Sequence, residues 1–461
     1  MVKFKGEIFY RGDAGYDEAR VGRVFNQRRP ERYPEVVFFP KDEKDVVTAV
    51  KLANEKNYKI AIRAGGHSWA AWSVRDEGIL LDLKHLNKIK LNKKTKVVSA
   101  QPAVKGGMEL NPFLKPHGLF FCGGHCPTVG IGGFLLQGGQ GWNARGWGWA
   151  AEYIVAIDVV TADGELVRAD TNQNADLFWS ARGAGPGFFG VVTCFHLKTI
   201  PLPKALTAST FLYPKQYAET ILKWMQELHH SVANSVEIVL LGQSVKNEGM
   251  KNEGMKEEFI PVIIVHALCL ENSIEAAELA LKPFTTCPVI ENAYVRRENY
   301  ATTFEEQIHL QLEANPEGHR WVVNNAWLEG SPEKVVQLIA PAFTTLPNPK
   351  AFTLWYSNAP IRALPDMAFS LQTEIYFAIY VLWQDAADDE KNKLWLNNIM
   401  HRIKPVTAGQ YLGDSDFTVL QRKFISETHW EKLENIRSKR DPQRRFHSYL
   451  AKNDAELNIN L

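Results

Sequence analysis

The stretch Cys122–Trp149, CGGHCPTVGIGGFLLQGGQGWNARGWGW, carries too much glycine for a long helix or a central strand, because glycine in either interior loses backbone entropy and offers no side chain to pack. It must be irregular backbone pressed against another element or against a ligand that uses bare N–H groups. Neither glycine cluster fits G-x-G-x-x-G in a strand-to-helix setting, and G-x-x-x-x-G-K-[ST] is missing, so the usual nicotinamide and NTP readings fail. A second bare stretch, RAGGHSWAAWSV, follows the strand-like run YKIAI and places His67 between two glycines and Ser68. Such a histidine is either a hydrogen-bonded structural group or one that faces a ligand passing close to the backbone.

Cys122, His125 and Cys126, with His117 nearby, raise the question of a metal. A structural zinc site needs a second ligand pair at a recognised spacing and none is present, so no metal is expected there. The 461 residues carry a formal net charge of +1, without the basic surplus of a nucleic-acid binder. The longest apolar run, FIPVIIVHALCL, is about half of the roughly 20 residues that span a bilayer. The expected partner is therefore a small molecule, with no nucleic acid and no membrane. Five cysteines without a paired framework, and an N-terminus without an apolar leader, point to a reducing cytoplasm, or to a secreted protein whose signal has been removed.

Along the chain, EVVFFP, DEKDVVTAVKLANEKN and YKIAIRAGG read as strand, helix and strand, and YIVAIDVVTADGELVRA reads as a hairpin turning at Ala162–Gly164. After TIPLPKA, near residue 203, strand-like runs alternate with long helical patterns, the mark of a second α/β or α+β layer. The repeat KNEGMKNEGM, Lys246–Met255, has no apolar periodicity and reads as a surface loop.

Taken together, RAGGHSWAAWSV with GILLDLKHLNKI, GGHCPTVGIGGFLLQGGQGW, NADLFWSARGAGPGFFGVVTCFHLKTIPLP and the tail WEKLENIRSKRDPQRRF resemble the berberine-bridge-enzyme-like branch of the vanillyl-alcohol oxidase flavoproteins. The resemblance implies an α+β fold of two domains. FAD would bind to residues 1–203 and to a C-terminal return over 417–461, and residues 204–416 would form an antiparallel substrate domain covered by helices. It also implies FAD attached covalently through both His67 and Cys126, the first to the flavin 8α-methyl and the second to C6. Arg63, Ala64, Gly65, Gly66 and Ser68 would cradle the pyrophosphate. Thr128, Val129, Gly130, Gly132 and Gly133, with Gly138, Gly141 and Trp142, would line the ring and ribityl chain, and Ile154, Gly190 and Val192 would lie close by. The chain departs from the family pattern at GAGPGFFGVV and at Arg444, where the terminal D-P-x-N-x-F motif has Asn.

An oxidase of this type needs a base near the flavin. GQYLGDSDF resembles the family segment that carries it and leaves Tyr411, while PDMAFSLQ places Asp366 where relatives have an acid, so the base is expected to be one of these two, partnered or not by the other. Substrate walls are expected from strands with one polar face: IHLQLE with Gln311 and Glu313, EIYFAIYVLW with Tyr376, and also Tyr356 and His125. The expected chemistry is oxidation of an alcohol-type substrate with dioxygen reduced to hydrogen peroxide. The alternatives are a dehydrogenase feeding another acceptor, and a flavin-bearing binding protein or non-redox cyclase.

Overall fold

The computed structural model describes residues 4–247 and 258–450; most of the repeat at Lys246–Met255 lies outside them. One early helix has ends that are written in its sequence. Asp42 accepts a hydrogen bond from the Asp45 N–H and Asn57 closes the C-terminus in the left-handed region, so Glu43–Lys56 is bounded on both sides. It buries Val46, Ala49, Val50 and Ala53 against a small sheet ordered Glu7–Tyr10, Val36–Phe39, Ile79–Asp82, Ile60–Arg63. The last three strands are parallel, which aims the end of Ile60–Arg63, and so the RAGGH turn, at the centre of the molecule. A five-stranded antiparallel sheet, ordered Ile89–Asn92, Val97–Ala100, Val191–Lys198, Ile154–Val160, Leu166–Ala169, lies beside it and contains the expected hairpin.

The eight-stranded antiparallel sheet is ordered Val295–Ala301, Ala205–Pro214, Phe259–Glu271, Val236–Lys246, Phe352–Ser357, Ile375–Trp383, Arg320–Leu328, Thr407–Gly409. Alternate residues of each strand face opposite ways. Ile238, Leu240, Val265, Trp355, Phe377 and Ile379 enter a core with the helices Ala218–Leu228, Pro332–Thr344 and Asp389–Arg402. The other face carries Glu237, His266, Tyr356, Tyr376 and Tyr380 toward a cavity. The chain then returns. Ile60 bridges Phe446 in parallel, and the Ile60 N–H and C=O bond Arg445 and His447, adding the tail to the open side of the parallel sheet.

One element differs from expectation. IHLQLE is part of the helix Phe304–Ala314, opened by a capping box in which Thr303 and Glu306 exchange hydrogen bonds. The T-x-x-E signature outweighs the short apolar alternation that suggested a strand. Among the described residues no helix is long and apolar enough to cross a membrane.

Candidate active site

A cavity of about 1040 Å³ lies between the RAGGH turn, the glycine-rich tract and the free face of the large sheet. This is the upper end of the size usual for ligand sites, roughly 300–1,000 Å³. The two glycine stretches touch: a Cβ on Gly65 would stand 2.6 Å from the Gly130 nitrogen. His67 and Cys126 therefore open on one wall. The His67 ring stacks on Phe25 with centroids 4.4 Å apart. Burial, helped by the Lys105 charge, draws its pKa down to about 4, so it is a neutral imidazole with a free lone pair. Thr128 joins the two residues, through a backbone bond to His67 and a hydroxyl 3.6 Å from the Cys126 sulfur. Burial raises the Cys126 thiol pKa, and the two Thr128 bonds pull the other way.

The walls leave polar atoms for a ligand. Both ring nitrogens of His447 and the Gln140 Nε2 are buried without a partner, and both residues line the cavity. Burial pulls His447 down to about 3, so its ring offers one donor and one acceptor. At Gly133 an added Cβ would meet nothing within 4 Å, so that backbone faces open space. These features fit a long ligand with hydrogen-bonding ends and a flat body laid against bare backbone, as FAD is.

Of the residues expected around the cofactor, Arg63, Ala64, Gly65, Gly66, Ser68, Val129, Gly130, Gly132, Gly133, Trp142, Gly190 and Val192 line the cavity. The Arg63 guanidinium is turned away from it and holds Asp82 and the carbonyls of Ala19 and Arg20. Four residues lie outside the lining. Thr128 supports His67 and Cys126 through its hydrogen bonds to both. Gly138, at φ +102°, and Gly141 let the tract fold onto the protein: added Cβ atoms would come within 2.7 Å of the Phe369 ring and 2.1 Å of the Cys122 carbonyl. Ile154 opens a strand of the five-stranded sheet and packs in the core.

The free face of the large sheet presents a cross-strand row, Thr210, His266, Val239, Tyr356, Tyr376 and Trp327. Tyr376 donates to Asp414 at 2.7 Å, and the Trp69 indole donates to the other Asp414 oxygen at 3.3 Å. Burial raises Tyr376 and Tyr380 well above 10, with Asp414 adding to it, so both remain phenols. Tyr411 also lines the cavity, but its oxygen takes the N–H groups of Gly139 and Gln140, both at 3.1 Å, and burial pushes its pKa up. Asp366 is placed elsewhere. Its side chain is 73% exposed, held by Trp179 at 2.5 Å and Lys432 at 3.1 Å, and it does not reach the cavity. Expected near the flavin, Asp366 stands instead at the surface, in the bend after Pro365, while Asp414, within GQYLGDSDF itself, is a carboxylate that lines the cavity.

On the opposite side, His125 packs on Trp142 with centroids 4.3 Å apart and bonds Glu237 through Nε2 at 3.0 Å. Glu237 is 3% exposed and also accepts from the Asn143 N–H at 2.6 Å and the Tyr356 hydroxyl at 3.2 Å. Burial alone would raise the Glu237 pKa, but His125 and these two donors hold it below the usual carboxylate value, so it is ionised. Cys122 is buried in the core, and burial raises its thiol pKa. Gln311 and Glu313 line the mouth from the helix Phe304–Ala314 rather than from a strand. Glu237 had a legible signal, a lone carboxylate on the side of VEIVLLGQ opposite Val236, Ile238 and Leu240.

Residues 34–170 match the family described as FAD binding domain. The chain is 32% identical to the FAD-linked oxidoreductase penO of Penicillium crustosum over 439 residues, 95% of this chain and 94% of that one. It is 33% identical to nodO of Hypoxylon pulicicidum, another FAD-linked oxidoreductase, with 94% of each covered. Among solved structures, 6-hydroxy-D-nicotine oxidase from Arthrobacter nicotinovorans superposes with a TM-score of 0.82 at 20% identity, covering 96% of this chain and 97% of that one. Glucooligosaccharide oxidase from Acremonium strictum, described with a 6-S-cysteinyl, 8α-N1-histidyl FAD, superposes with a TM-score of 0.81 at 19% identity, covering 96% of each. With a cavity that fits a long flat ligand and relatives matched along nearly their whole length, the chain belongs to the family of FAD-linked oxidoreductases.

Proposed function

We propose that this FAD-linked oxidoreductase is an oxidase with its flavin bonded to both His67 and Cys126, acting on an alcohol-type small molecule, a carbohydrate or a secondary metabolite, and releasing hydrogen peroxide. The observation that carries this reading is the pairing of a neutral His67 with Cys126 on one wall of the cavity, both braced by Thr128. The glucooligosaccharide oxidase, whose flavin is linked to both residue types, supports it by likeness of fold. Bound FAD supplies hydride acceptance from carbon and electron delivery to dioxygen. The protein supplies the proton acceptor: Asp414, oriented by Trp69 and Tyr376, takes the substrate hydroxyl proton directly or through the Tyr376 phenol. Tyr411, held by two backbone N–H groups, fixes the glycine tract and walls the substrate. His125, set by ionised Glu237, hydrogen-bonds the substrate from the facing side, with Tyr356, Gln311 and Glu313 around it.

The experiment is denaturing electrophoresis of the purified protein under ultraviolet light. Flavin fluorescence should travel with the polypeptide in a His67→Ala or a Cys126→Ala single variant and leave it in the double variant; colour released from the denatured wild type would refute covalent attachment. Peroxide release across a panel of sugars and alcohols tests the rest, and turnover that needs an acceptor other than dioxygen would make the enzyme a dehydrogenase.

A further inference from the structure

We propose a divalent-cation site of the zinc type at the far end of the helix Ala218–Leu228, formed by His229, His230 and Glu374. One ring nitrogen of each histidine and a Glu374 oxygen all lie within 4.8 Å of one another. They line a cleft of about 320 Å³, separate from the flavin cavity. The His229 Nδ1 is engaged by the Ser357 hydroxyl at 3.0 Å, and that hydroxyl oxygen also accepts the Ala359 N–H at 3.3 Å. The Ser357 oxygen has room for a second donor, and the tautomer in which Nδ1–H bonds it leaves the Nε2 lone pair for a ligand, the outer-shell arrangement of metal-bound histidines. His230 Nε2 is already 3.7 Å from Glu374. Bonds of about 2.0–2.2 Å at tetrahedral angles place ligand atoms roughly 3.3 Å apart. The remaining contraction falls on His230 and Glu374, whose side chains are 51% and 44% exposed and free to swing.

A second feature of the cleft points to an occupant. The Gln226 side chain lines it, is 7% exposed, and has its Nε2 buried without a partner. Turned over, the amide sets Oε1 in that position to accept from a metal-bound water. Glu329 on the rim adds negative charge. Among the described residues the other cluster of this kind, Asp158, Cys194 and His196, is already satisfied: His196 bonds Asp158 at 2.8 Å and Ser99 at 2.9 Å, and the Arg168 guanidinium stands 3.0 Å from its ring. A cation at His229, His230 and Glu374 ties the end of the helix to the start of the strand that carries Tyr376 and Tyr380.

The test is equilibrium dialysis of EDTA-treated holoenzyme against zinc chloride, with metal analysis and thermal melts. The wild type should hold one zinc per chain and melt about 2–4 °C higher when zinc is roughly a hundredfold above Kd. His230→Ala and Glu374→Gln, both at half-exposed positions, should each lose at least tenfold in affinity and the melting shift. His196→Ala should keep both, and all variants should keep the wild-type flavin spectrum. No retained zinc, or zinc held equally by His230→Ala and Glu374→Gln, would overturn the site.

Discussion

Asp414 and Tyr411 are three residues apart and face the same cavity, yet their surroundings give them different chemistry. A phenol begins near pKa 10 and burial raises Tyr411 further, whereas a carboxylate fed by one indole and one phenol keeps lone-pair capacity for a substrate proton. Asp414→Asn should slow substrate-driven bleaching of the flavin by about 10²–10⁴-fold, and Tyr411→Phe by about tenfold, measured by stopped flow; the reverse order would return the role of base to Tyr411. His447 gives a pH prediction. Its folded pKa, about 3, lies below the ordinary histidine value, so the unfolded chain takes up a proton that the folded one refuses. This contribution to stability is complete above about pH 6.5 and is lost as pH falls toward 3, changing the unfolding constant by up to about tenfold per pH unit. His447→Gln should flatten that slope in melts taken across pH 3–7.

At the scale of elements, Arg145 ties the glycine tract to the large sheet and its helices. Its guanidinium donates to the carbonyls of His229, Val232, Ala233, Val236 and Ala359, the first of them at the end of the helix Ala218–Leu228, where the dipole is negative. Burial lowers its pKa to about 10, which leaves it charged at neutral pH. Arg145→Met should cost roughly 3 kcal/mol or more in urea unfolding, because buried carbonyls are left without donors. Arg145 also positions the next two contacts, the Asn143 N–H on Glu237 and the Ala144 N–H on Tyr356, so the variant should weaken substrate binding as well.

For the whole molecule, the consequence lies in how FAD is held. The cavity takes its walls from the parallel sheet, the glycine tract, the large sheet and the returning tail, so its ligand joins segments far apart in the chain. The double attachment proposed above would make that joining independent of ligand concentration. The wild type should melt at one temperature whatever FAD is added, whereas the His67→Ala, Cys126→Ala double variant should melt lower and regain stability with added FAD, about 2.7 kcal/mol at a hundredfold excess over Kd. A wild type whose melting point climbs with added FAD would contradict covalent retention.

Much of this was legible in the sequence because it rests on local rules. The helix Glu43–Lys56 announces both of its caps, the hairpin at Ala162–Gly164 its turn, and the strands of the large sheet their alternation. Glycine placement and the order of motifs marked the bare backbone that lines the cavity, because a glycine leaves room for a ligand to lie against its backbone. The helix Phe304–Ala314 was legible too, through Thr303 and Glu306, although a six-residue alternation pointed to a strand. Pairing across the chain was beyond local pattern. Tyr376 and Asp414 meet because Ile375–Trp383 runs beside Arg320–Leu328, the strand that Thr407–Gly409 joins at its edge. Whether a carboxylate is a surface group like Asp366 or a site group like Asp414 depends on which distant segments remove water from it. By itself the sequence determined the elements, the bare backbone and the residue types available for attachment, because those follow from backbone freedom and short-range spacing. The tertiary structure alone decided which of the acids face the cavity and which nitrogens keep a free lone pair, because desolvation and hydrogen-bond partnership are properties of neighbours in space.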